Sequence, residues 1–259
     1  MEKKVIEQNN IYYTKSDTPE MIATFKMAQN TFKYFWRELS WEQRRIVPAL
    51  DMSGVKAIFN QESSTDTPLG EYMWIGGNIF FDGIFVSGTL LNKPDILTNV
   101  KQGELVGFPL ERVADWMFYS GKKVYGGFTV QLMRSQMDKK EREKHDKAWG
   151  MDFGDPDKIL LVFDQEKCPG NLIEHPMCIN MKQKFEEYLK QNPNGISEKD
   201  ELGYTWLHKE TIAGNKTNVE MLLEMGSDIN AKIDAGYTAL DFAQKLEWEH
   251  IIPIFKNKL

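Results

Sequence analysis

The chain has 259 residues, 41% of them hydrophobic and 12% aromatic, which supports one large core or two modest ones and excludes a largely disordered chain. Its net charge is −6, and the one run dense in lysine, "KKEREKHDK" at 139–147, mixes both signs, so nucleic acid is not expected as a partner. No stretch approaches the ~18 apolar residues of a membrane span, so no membrane partner is expected either.

Residues 1–17 read as an N-terminal extension; "MEKKVIEQNNIYY" lacks the apolar core of a signal peptide, which points to the cytoplasm. A helix follows, with Thr18 as N-cap, Pro19 in the first position and Glu20 at the positive end of the dipole. Met21, Phe25, Ala28, Phe32, Phe35 and Leu39 form one helical stripe, and its three aromatics suit packing on a sheet. From residue 55 the pattern turns to strands: "VKAIF", "EYMWIGGNIFFDGIFVSGTLLN", "ELVGFPL", "VADWMFY" and "VYGGFTVQLM". Asp82-Gly83 between apolar runs signals a hairpin, and Gly76-Gly77 a bulge. The expectation is a curved antiparallel sheet of five or six strands with the aromatic helix across it. "RSQMDKKEREKHDKAW" reads as a polar surface helix, and "KILLVF" as a late strand or a docking segment. Residues 18–165 are thus an α+β domain, 166–178 a connector and 179–259 an all-α array. Cys168 and Cys178, in the connector, form no CxxC pair and are expected as reduced thiols.

The array carries an echo. "GYTWLHKETIAGN" starts at Gly203 and "GYTALDFAQKLEW" at Gly236, 33 residues later. Gly203, Thr205, Leu207, His208, Val219, Leu222, Leu223, Gly226, Asp228 and Asn230 follow the ankyrin pattern, and residues 179–259 resemble a short ankyrin-repeat array. The glycines permit the hairpin turn, Thr205 caps the helix and bonds His208, and the leucines fill the groove between repeats. With one full repeat and two partial ones, the array must lean on the first domain. Two departures stand out. Trp206 replaces the proline of the pattern, and "KETIAGN" replaces its alanines. Trp206 either packs against the preceding half-repeat or faces a partner. The resemblance implies protein binding through hairpin tips and helix face, with Lys199, Asp200, Glu201, Leu202, Trp206, Lys209, Lys232, Ile233, Asp234 and Ala235 as candidates.

The first domain resembles the bacterial YegJ-like family of unknown function. The resemblance rests on "VKAIF", "EYMWIGG", "GTLLNKP", "KQGELVGFPLERVADWM", "GGFTVQLM" and "WGMDFGDP". It implies no activity. It does imply a context, because such proteins and short ankyrin proteins occur among immunity proteins encoded beside toxins.

Chemistry-bearing patterns are sparse. Glu71, Asp115 and Arg134 are polar residues within apolar strand patterns; they form either a clamp that holds the sheet or a polar cleft able to do acid–base work. Asp152, Asp155 and Asp157 miss the spacing of a calcium loop and fit turn roles, so no metal site is expected. No phosphate loop or serine elbow occurs, and no catalytic residue or cofactor is expected. The expected function is non-enzymatic binding of another protein, in its sharper form an immunity or antitoxin-type protein that blocks a basic toxin. The alternative is an enzyme or small-ligand-binding protein that uses the polar cleft.

Overall fold

A computed structural model of the chain describes residues 18–62 and 69–258, so the extension 1–17 lies outside the described residues. Helix α1 (Pro19–Glu42) starts as its sequence dictates, with the Met21 N–H donating to Thr18 Oγ1 at 3.2 Å. Its apolar stripe, Met21, Ala28, Phe32, Phe35 and Leu39, is buried. From Phe35 to Trp41, however, every residue is buried, on all sides of the helix. A sheet covers one side of these turns and the C-terminal helices cover the other.

The fold is α+β. Its sheet has six antiparallel strands, β1 (Met52–Gln61), β2 (Leu69–Phe81), β3 (Phe85–Leu90), β4 (Leu105–Pro109), β5 (Val113–Ser120) and β6 (Lys123–Gly126), in the order β4-β3-β2-β1-β5-β6. Central strand β1 sets Val55 opposite both Ile75 and Trp116. The β2–β3 hairpin turns at Asp82-Gly83, where Asp82 Oδ1 accepts the Ile84 and Phe85 N–H groups at 2.8 and 2.7 Å. Its register slips between Gly76 and Phe80, and Gly77 has φ +69°, as the paired glycines implied.

One expectation for the chain after β6 is corrected, and one alternative is decided. "FTVQLM" is not strand: Phe128–Ser135 is helix α2. Gly126 and Gly127, at φ +72° and +71°, turn the chain out of the sheet, and Asp115 on β5 accepts the first N–H groups of the helix. The aromatic and β-branched letters favoured a strand locally, but this distant cap wins. "KILLVF" forms no strand; it docks, with Leu160 O accepting from the Gly126 N–H at 2.8 Å. Helix α3 (Lys139–Trp149) lies exposed, as its polar sequence implied, and opens with a capping box between Asp138 and Glu141.

The remaining chain forms α4 (Pro176–Asn180), α5 (Lys182–Gln191), α6 (Trp206–Ile212), α7 (Lys216–Glu224), α8 (Ala239–Lys245) and α9 (Ile252–Lys256). The 33-residue echo is physical. Gly203 and Gly236 both take positive φ, +84° and +87°, ahead of α6 and α8. The Thr205 N–H donates to His208 Nδ1 at 3.1 Å, and the Thr238 N–H to Asp241 Oδ2 at 2.7 Å. The two hairpin turns also bond each other: the Asp234 N–H donates to Leu202 O at 3.0 Å, and Lys199 Nζ to Lys232 O at 3.1 Å.

These helices share one hydrophobic core with α1 and the sheet. Trp248 meets Tyr34 edge-on at 5.6 Å, and the two rings flank the buried guanidinium of Arg37. At the tip of the β2–β3 hairpin, Gly83 lies so close to Phe242 that a Cβ would clash with its ring, and it would press tightly on Ile212.

Candidate functional site

The three residues of the expected polar cleft each have their own partners. Asp115 is fully buried and works as the cap of α2. Its Oδ1 accepts from the Trp116 and Phe128 N–H groups, both at 2.8 Å, and its Oδ2 from the Thr129 N–H and hydroxyl at 2.7 and 2.6 Å. Burial pushes its carboxyl above the usual range, while Thr129, Lys56 and Phe128 act against that rise. Burial lowers the ammonium of Lys56, its cross-strand neighbour, and Asp115 opposes that shift. Arg134 sits on α2 and is forked onto Asp146 at 3.0 and 2.7 Å. Glu71, on β2, accepts the Asp95 N–H at 3.0 Å. None of these bonds runs from one of the three residues to another, so the arrangement is three separate braces.

Other polar candidates have structural work as well. Asp152 and Asp155 accept N–H groups of their own turns, from Gly154 and Asp157. His175 lies 3.0 Å from Glu38 and stacks on Trp41. Cys168 and Cys178 are free thiols, and burial raises the Cys178 thiol. His208 Nδ1 accepts from Thr205, which leaves Nε2 to donate to Ala231 O at 3.0 Å. Burial lowers its pKa, and that of His250 as well.

At the hairpin tips, Lys199, Asp200, Glu201, Leu202, Lys232, Asp234 and Ala235 are exposed, as is Lys209 on α6. Asp200 and Lys209 pair at 2.8 Å, and hydrogen bonds from Lys209, Tyr204 and Leu202 hold the Asp200 carboxyl low against its partial burial. Ile233 is a correction: it is only 4% exposed. Within its turn it bonds the Tyr237 carbonyl through its N–H, and its side chain joins the core while its neighbours face out.

Trp206 does two things. It packs against Phe185 of α5, ring centroids 5.8 Å apart, and with Trp41, Met177, Met181, Phe185 and Tyr188 it walls a groove of about 270 Å³. The polar wall residues are Arg44, Arg45, Lys184 and Asn218. Behind the groove lies a buried network centred on Glu210, whose side chain is fully buried. Glu210 accepts from Arg44 Nη2 at 2.7 Å, Asn215 Nδ2 at 2.7 Å and Asn218 Nδ2 at 2.9 Å. Trp41 Nε1–H donates to Asn215 Oδ1 at 3.0 Å, and the Arg44 guanidinium lies 4.7 Å from the Trp41 ring. A buried carboxylate needs such partners, and here they come from the turn after α1 and from the N-terminal end of α7. Of the two departures from the repeat pattern, Trp206 thus packs on α5, and Glu210 within "KETIAGN" bonds Arg44 in the turn after α1. Their sequence signal was visible; where they point was not.

In class, the molecule is an α+β sheet protein whose long helix is clasped by short helices that repeat at 33 residues. Residues 18–153 match the family described as "Uncharacterized protein conserved in bacteria (DUF2314)", and the chain belongs to that family. It is similar to a putative ankyrin repeat protein of Neisseria meningitidis serogroup B, at 47% identity over 248 residues, covering 96% of this chain and 97% of that protein. It is also similar to the uncharacterized protein YegJ of Escherichia coli K12, at 32% identity over 80 residues, or 31% of this chain and 52% of that protein. No solved structure matches the chain. Among the described residues, no helix is long and apolar enough to cross a membrane.

Proposed function

We propose that the chain is a non-enzymatic protein-binding protein of the bacterial cytoplasm. In this reading residues 18–165 form the sheet domain, 166–178 connect, and 179–259 act as a short ankyrin-type array. The observation that carries it is the pair of hairpin turns 33 residues apart, bonded to each other and held out to solvent. The name of the meningococcal relative supports the same reading. Such tips present backbone already fixed by hydrogen bonds, which lowers the ordering cost of protein recognition. In its sharper form the partner is a basic protein, such as a toxin that this chain blocks, because the net charge of −6 would speed and orient that encounter.

The test is capture of partners by the purified full chain, identification by mass spectrometry, and measurement of affinity for the isolated partner. A Glu201→Lys/Asp234→Lys double variant, at two exposed tip carboxylates, should keep its melting temperature and weaken binding of a basic partner at least tenfold. Unchanged binding would remove the hairpin tips from the interface. A chain that captures no protein but turns over a metabolite would overturn the whole reading.

A further inference from the structure

The turn after α1 holds out two apolar side chains. Ile46 is 99% exposed and Val47 77%, so among the described residues almost nothing covers them. The turn that carries them is fastened at both ends to one carboxylate. Glu42 takes Arg45 Nη1 at 2.8 Å on one side of the pair and the Ala49 N–H at 3.0 Å on the other. Pro48 biases Val47 towards extended backbone, and β-branching leaves both side chains few rotamers. The turn is thus a pre-formed apolar knob, and little ordering cost opposes its burial.

Beside the knob lies the groove. Arg44 and Arg45, the two residues before Ile46, belong to its wall, and Trp41, Met177, Met181, Phe185, Tyr188 and Trp206 line it with thioether and aromatic surface. At about 270 Å³ it falls just below the roughly 300–1,000 Å³ of sites for drug-sized ligands, a size for one or two branched aliphatic side chains. The knob does not fill the groove of its own chain, as its exposure shows. A knob and a hole side by side are what a two-fold dimer requires, because each copy then offers the part that the other receives. A second copy of this chain already carries both parts, whereas a foreign partner would have to supply a matching pair.

Charge and area fit the same occupant. Arg44 is paired with Glu210 at 2.7 Å, and Arg45 with Glu38 and Glu42 at 3.0 and 2.8 Å, so the guanidinium groups at the base of each knob bring no unpaired charge to the two-fold axis. Lys184, the remaining wall cation, is exposed and stays in water at the rim. Two knobs and two grooves together bury on the order of 1,000 Å², the least that a specific interface needs, so the association is a weak one.

We infer that this face joins two copies of the chain, with Ile46 and Val47 of each entering the groove between Trp206, Phe185 and Met181 of the other. No hairpin-tip residue lines the groove, so the dimer does not use the tips, and it stands whether or not they bind a partner.

The test is sedimentation equilibrium of the full chain from about 2 to 500 μM, the range in which a weak interface of this size associates. The mass should rise with concentration towards twice that of the monomer. Ile46→Glu/Val47→Glu, at exposed positions, should keep the melting temperature and raise the Kd of the dimer at least tenfold. A second measurement reads the geometry. An Ile46→Cys chain is mixed with a Met181→Cys chain in an oxidising buffer, both carrying Cys168→Ser to remove the exposed native thiol. The mixture should form a disulfide-linked dimer in at least tenfold higher yield than either chain alone. A chain that stays monomeric throughout the range, a dimer that the double glutamate variant leaves unchanged, or a mixture that links no better than its separate chains overturns the inference.

Discussion

Replacing Asp115 by Asn asks whether a charged cap, delivered from β5, holds α2 in place. The carboxylate accepts three backbone N–H groups and one hydroxyl in a fully buried site. The Asn oxygen keeps two of these bonds. Its NH2 group then faces Thr129, whose hydroxyl can rotate to accept but whose N–H cannot. One buried donor left unpaired costs about 1–3 kcal/mol. Loss of the negative charge at the start of the helix adds ~1 kcal/mol, up to about 2 where the site is partly buried. Against these stands relief of the burial that raises the Asp115 carboxyl, and Lys56 already offsets part of that burial. The loss should therefore exceed the relief, for a net destabilisation of about 2–3 kcal/mol, read by urea unfolding at pH 7. Asp115→Ala, which orphans all three N–H groups, should cost more. If Asp115→Asn unfolds within about 0.5 kcal/mol of the parent, burial and capping cancel, and the charge is not what holds the helix.

Gly83→Ala should loosen the join between hairpin and C-terminal helices. Its φ is +95°, and a Cβ would stand 2.5 Å from Phe242 Cε1 and 3.1 Å from Ile212 Cδ1. Overpacking and backbone strain together predict a loss of about 2–4 kcal/mol, seen as a lowered melting temperature, with no change refuting the close contact. His208 and His250 predict a pH dependence. Burial lowers both pKa values, so below pH ~6.5 the unfolded chain binds protons that the folded chain refuses. Stability is then fully present above about pH 6.5 and falls with acidification, by up to about 1.4 kcal/mol per pH unit for each histidine. A urea midpoint that stays flat between pH 7 and 5.5 would contradict this sign.

Much of the fold is legible because its causes are local. Thr18, Pro19 and the spacing from Met21 to Leu39 specify α1, and Asp82-Gly83 specifies the hairpin. Helix α2 is illegible because its cap sits 13 and 14 residues back, on another element. The choice between clamp and cleft is illegible for a related reason. Glu71, Asp115 and Arg134 share a sequence pattern, but each meets its partner through tertiary structure. Trp206 and "KETIAGN" stand out as breaks in a repeat, yet the sequence does not say that Trp206 meets Phe185 or that Glu210 meets Arg44. The Arg44–Glu210 pair spans 166 residues, and a linear pattern carries no trace of such a separation.

The clasp on α1 has a consequence for synthesis. Tyr34 and Trp41 leave the ribosome long before the C-terminal residues that cover them, Trp248 and Asn215. Some 214 residues separate Tyr34 from Trp248, so at about 5–20 residues per second this flank stays bare for on the order of 10–40 s. During that interval the nascent sheet carries an uncovered aromatic seam, open to chaperones or to another nascent chain. A truncation ahead of the last helices would make the exposure permanent, so a premature stop there should yield aggregates rather than a smaller working protein.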